Sequence, residues 1–136
     1  VLFRSEDKGE SWESMESPYE GSFFGFSATG EKDTVLAFGL RGNLFRSSDA
    51  GVTWESVDSE TESTLISGVH NNDGKVSIVG NSGSVLLSKD NGRTFSETIR
   101  DDRLGVSSAV FITQNQLVVV GEKGVVRTDA SGIDLN

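Results

Sequence analysis

An all-β fold of repeated four-stranded units is what this sequence predicts, on three observations. Sixteen glycines stand against a single proline, Pro18; one short box of residues recurs at near-constant spacing; and β-rich runs of strand length lie between its copies. Glycine supplies the tight turns that many short strands need and is avoided in helices, so composition alone leans to β. With 136 residues and 35% apolar content, the chain can bury a modest core and is not of disordered composition.

The box carries the argument. Ser-x-Asp-x-Gly-x-(Ser/Thr)-aromatic occurs as Ser5, Asp7, Gly9 and Trp12, as Ser47, Asp49, Gly51 and Trp54, and as Ser88, Asp90, Gly92 and Phe95. The aspartates lie 42 and 41 residues apart, within the ~40–50 residue period of four-stranded propeller blades. A Gly-x-x-Gly keeps the same register at residues 39–42, 80–83 and 121–124, and each reads as a hairpin turn. Strand-like runs at 34–38, 75–79 and 116–120 precede these turns, and further runs at 23–26, 65–69 and 108–112 lie upstream. Each repeat thus supplies a first strand, a second, Gly-x-x-Gly, a third, the box turn, and a fourth strand starting at the aromatic.

The expected organisation is a partial β-propeller of about three blades of four antiparallel strands. It comprises a half blade over 1–16, blades over 20–59 and 62–100, and an incomplete blade over 105–129. The last box is decayed: Asp129 and Gly132 remain, the aromatic is missing, and a fourth strand is not expected.

Within the box turn, a short aspartate carboxylate can accept backbone N–H groups a residue or two further on, and glycine supplies a positive φ. The serine hydroxyls can close the turn from its other side, and the aromatics can pack between hairpin and neighbour. These are structural tasks. Calcium binding would need several recurring oxygen ligands and a distal Glu, which do not recur, and one catalytic carboxylate per blade has no mechanistic use. No catalytic residue, metal site or cofactor is therefore assigned.

Ser-x-Asp-x-Gly-x-Thr-Trp with Gly-x-x-Gly before it resembles the BNR, or Asp-box, repeats of sialidases and many other propellers. The period near 41 and the Arg46–Ser47–x–Asp49 form of the box look most like the Ycf48-like branch, the photosystem II assembly and stability factors and their bacterial relatives. The resemblance runs from Leu2 to about Gly132. It implies a propeller, usually seven-bladed, that serves outside the cytoplasm as an assembly factor or scaffold rather than as an enzyme. The plant and cyanobacterial members of that branch are similar in using a basic patch to hold their partner. The acidic balance here fits a relative from a non-photosynthetic bacterium.

A net charge of −9, from 21 acidic and 12 basic residues, repels phosphates and anionic headgroups, so nucleic acid is not an expected partner. No stretch reaches the ~18 apolar residues of a membrane helix, so membrane insertion is not expected either. The absence of cysteine removes thiolate sites and disulfides. The chain begins without methionine and reads as a piece of a longer protein.

The expected function is a binding or scaffolding module with a protein partner, and the alternative is a fragment of a sialidase-like glycoside hydrolase. That alternative needs arginines converging on a sugar carboxylate and a tyrosine nucleophile. Among Arg4, Arg41, Arg46, Arg93, Arg100, Arg103 and Arg127, the repeat places Arg4 and Arg46 equivalently and Arg127 close to them, as a strand-face choice. Tyr19 lies in a linker between blades. His70 reads as a solvated turn residue, and the acidic clusters at 58–62 and 101–102 as solvated connections between blades. Bare sheet flanks at both ends of the array predict a homo-oligomer in which two copies complete a propeller of about six or seven blades.

Overall fold

The structure, a computed structural model, describes residues 2–136. It contains thirteen strands in four antiparallel sheets. The half blade is β1 (Leu2–Arg4) paired with β2 (Glu13–Met15). The next sheet runs β3 (Phe23–Ala28), β4 (Val35–Gly39), β5 (Leu44–Ser47) and β6 (Glu55–Ser56) in sequence order. A second four-stranded sheet holds β7 (Leu65–His70), β8 (Val76–Gly80), β9 (Ser84–Ser88) and β10 (Ser96–Ile99). The last holds β11 (Val106–Thr113), β12 (Gln116–Gly121) and β13 (Gly124–Asp129). The strands β2, β6 and β10 each begin one residue after the aromatic of the box before them.

Sequential antiparallel strands put alternate loops at opposite ends of a blade. At one end the box turn meets the loop between the first two strands, through Ala50 N–H to Asp33 O (2.8 Å) and Asn91 N–H to Gly74 O (2.9 Å). At the other, the Gly-x-x-Gly turn is tied to the connection between blades, through Leu40 N–H to Ser22 O, Asn81 N–H to Thr64 O and Glu122 N–H to Gly105 O. The third Gly-x-x-Gly departs from the first two. Gly121 pairs directly with Gly124, leaving a two-residue turn one residue shorter than its counterparts.

The core lies between blades. Leu36, Phe38 and Leu44 of the first complete blade pack against Leu65, Val76, Ile78, Leu86 and Phe95 of the second. One repeat later, Val79 and Val85 meet Val106, Leu117 and Val119. Each such buried aliphatic contributes roughly 1.5–3 kcal/mol relative to exposure. Phe38 reaches the inner strands because Gly25 and Gly68 carry no side chain there; a Cβ would stand 2.7 Å and 3.1 Å from its ring.

Two sequence expectations are corrected. His70 is not a solvated turn residue. It ends β7 opposite Val76 and is half-buried, and its Nδ1 is sealed without a hydrogen-bond partner beside Gly30 of the neighbouring blade. The strand outlasts its apolar run because pairing with β8 continues to that residue. The incomplete blade also does not stop at its decayed box. Residues 129–133 form a turn, after which Asp134 makes an isolated antiparallel bridge to Thr128.

Candidate functional site

Each box is a closed hydrogen-bond lock. The Ser5, Ser47 and Ser88 hydroxyls donate to Asp7, Asp49 and Asp90 at 2.7–2.9 Å. They accept the N–H of Gly9, Gly51 and Gly92 at 2.7–2.9 Å. The carboxylates reach four residues on, rather than one or two, and take the N–H of Ser11, Thr53 and Thr94 at 2.8–2.9 Å. Their second oxygens accept the hydroxyls of the same residues at 2.5 Å. This closure requires two successive left-handed residues: Lys8, Ala50 and Asn91 lie at φ near 60°, each followed by the box glycine at φ 80–92°. The indole N–H groups of Trp12 and Trp54 donate to Gly9 O and Gly51 O.

These bonds hold the ionised form. Asp7 and Asp49 are lowered to about 2, first by the Ser11 and Thr53 hydroxyls. Asp90 is lowered to about 2 against a larger desolvation, by Thr94 and Ser88. The carboxylates are spent on their own turns, and no group of three metal-capable side chains occurs among the described residues. The last turn reverses the roles. Asp129 accepts the N–H of Ser131 and Ile133, as Ser88 does for its own loop, and Ser131 donates to it. Gly132 then settles against Val85.

The residues considered for glycosidase chemistry do not converge. Tyr19 is packed edge-on to Phe23 (5.9 Å between centroids) and stacked near Phe45 (6.2 Å), with its ring over Gly21. Arg4 pairs with Glu6 and Glu13, and Arg127 donates to Gln116. Arg46 and Arg93 both clamp Glu31, at 2.7 and 2.9 Å. Their hydrogen bonds and charge, Arg93 first, hold Glu31 below the usual carboxylate range. This clamp ties one blade to the box of the next, and no motif announced it. Arg100 is buried; desolvation works against its charge, and Asp134 and Asp102 more than offset it, at 2.7 and 3.0 Å. Thus Asp102 of the second acidic cluster is an ion-pair partner, whereas Asp58, Glu60, Glu62 and Asp101 are exposed.

Arg41 and Arg103 remain, and both lie at the Gly-x-x-Gly end of the array. Beside Arg103 is an open hollow of about 530 Å³ lined by Ile66, Asn81, Ser82, Val106, Ser107 and Glu122 among others. Glu122 accepts the Gly105 N–H. Among the described residues, the side chains of Arg103, Asn81, Ser82 and Ser107 make no hydrogen bond within the chain, which leaves donors free toward solvent.

Blades and inter-blade core together define a partial β-propeller. Its fold is that of the Ycf48 propellers. A structure of YCF48 from Cyanidioschyzon merolae superposes with a TM-score of 0.79 at 20% identity, covering 92% of this chain and 42% of that one. A structure of YCF48 bound to D1 peptide gives 0.75 at 19% identity, covering 89% and 40%. The chain spans about two-fifths of the length of these neighbours. No protein-family model and no curated protein sequence matches it.

Proposed function

We propose that the chain is part of a non-catalytic propeller that binds a polypeptide partner, and that the Gly-x-x-Gly end beside Arg103 contacts that partner. The observation that carries this reading is the hollow of unspent donors there, in a chain whose arginines at 46, 93 and 100 are held in ion pairs. The peptide bound in one YCF48 structure supports the same class of ligand. A carboxylate-bearing peptide suits an arginine set among amide and hydroxyl donors. The same reading carries a location outside the cytoplasm and completion of the propeller by a second copy. Exposed Val110, Val120 and Val125 on the last blade support the second of these, because they continue the positions at which Val69, Val79 and Val85 pack between blades.

The test is selection of a displayed peptide library on the 136-residue chain and on its Arg103→Glu variant. Enrichment of acidic peptides that lose binding to the variant is expected. No enrichment, or equal binding by both proteins, contradicts the reading.

A further inference from the structure

The hollow beside Arg103 lies between two neighbouring blades, and one glycine keeps it open. Glu122 N–H donates to Gly105 O, as Asn81 N–H does to Thr64 O and Leu40 N–H to Ser22 O, so Gly105 stands where the other two junctions carry a hydroxyl side chain. Its φ lies outside the left-handed region, and the backbone there does not demand glycine. A Cβ at this position would stand 3.3 Å from Glu122 Oε2 and 3.8 Å from Asn81 Cα, and both residues line the hollow. The missing side chain thus leaves room beside a carboxylate. Glu122 is fixed there from two sides, because its N–H donates to Gly105 O at 3.0 Å and its Oε2 accepts Gly105 N–H. Among the described residues, neither its Oε1 nor the Arg103 guanidinium has a hydrogen-bond partner within the chain.

We infer that Glu122 sets the specificity of this hollow, which takes a peptide segment carrying an acidic and a basic residue within two positions of each other. The peptide carboxylate meets Arg103, and its ammonium or guanidinium group meets Glu122 Oε1. Residues two apart in an extended segment point to one side about 6.5–7 Å from each other, a reach that suits two charges lining one hollow. A purely acidic segment would satisfy Arg103 but bring a like charge to Glu122, on a chain whose net charge is already −9. Charge complementarity of this kind acts largely by turning away wrong partners. Ile66 and Val106 give the segment an apolar wall between its charged contacts and the blades. The inference rests on the reading that a peptide binds beside Arg103, and it names which peptides do so.

The test pans a displayed peptide library on the 136-residue chain and on its Glu122→Gln variant, in which glutamine keeps an oxygen for Gly105 N–H and loses the charge. The unsubstituted chain is expected to enrich peptides with Lys or Arg within two positions of Asp or Glu, and the variant to enrich acidic peptides without that neighbour. One peptide enriched on the unsubstituted chain is then synthesised with a dye, and its basic residue is replaced by norleucine. Fluorescence anisotropy should show binding to the unsubstituted chain weakened about threefold or more, and binding to Glu122→Gln unchanged by the replacement. Gly105→Ala, which closes part of the hollow, weakens the original peptide as well. Acidic peptides enriched on the unsubstituted chain with no basic neighbour, a norleucine effect equal on both proteins, or indifference to Gly105→Ala overturns the inference and leaves the peptide-binding reading standing. Enrichment of no peptide at all overturns that reading and this inference with it.

Discussion

The first and third boxes share their serine and aspartate hydrogen bonds and have opposite surroundings. Trp12 is 63% exposed and Phe95 6%. A Cβ on Gly9 would meet only the chain's own Trp12, whereas on Gly92 it would collide with Leu36 and crowd Thr29 of the blade before. Local hydrogen bonds are therefore enough to shape the turn. What the second setting adds is a seat for the neighbouring blade, through Leu36 and Thr29.

Substitutions that separate the two roles should differ most. Phe95→Ala is expected to cost about 3–5 kcal/mol, as deletion of a buried aromatic does, while Trp12→Ala costs less than about 1 kcal/mol; denaturant unfolding of each variant measures both. Alanine at either box glycine pays the left-handed backbone, roughly 1–2 kcal/mol. Gly92→Ala must also displace Leu36, and a thermal midpoint clearly below that of Gly9→Ala checks this.

Acid should erase the distinction. Asp7, Asp49 and Asp90 have folded pKa values of about 2, below the unfolded value of roughly 3.9. Their contribution is present above the unfolded pKa and is lost as pH falls from about 4 toward 2. Asp→Asn at any one of the three should flatten the same window of the stability curve to a similar extent. An effect confined to Asp90 would contradict the assignment of the shift to the local hydroxyl and amide donors, which all three boxes share, because burial by itself raises a carboxylate's pKa.

The blades were legible because each repeat checks the others: box, Gly-x-x-Gly and strand runs fall in one register, and the sheets follow it. Less legible were features that depend on a neighbour. His70 looked like a turn residue because its polar surroundings, Asn71 to Gly74, hide its pairing with Val76. The shortened third hairpin cannot be seen in Gly121–x–x–Gly124, since spacing is unchanged while pairing is not. The Glu31 clamp joins Glu31 to Arg93, 62 positions away and sharing no motif with it. The role exchange at Asp129 and Ser131 was masked by the same composition in a different order. The free donors around Arg103 emerge only once Arg4, Arg46, Arg93, Arg100 and Arg127 are seen to have partners.

The most direct measurement is the thermal midpoint of Asp7→Ala beside that of Asp90→Ala. If the box is a local lock that also seats the blade packed against it, both variants lower the midpoint, and Asp90→Ala lowers it by several degrees more than Asp7→Ala. Equal losses at both sites would contradict the account, because the turn would then owe nothing to the blade packed against it.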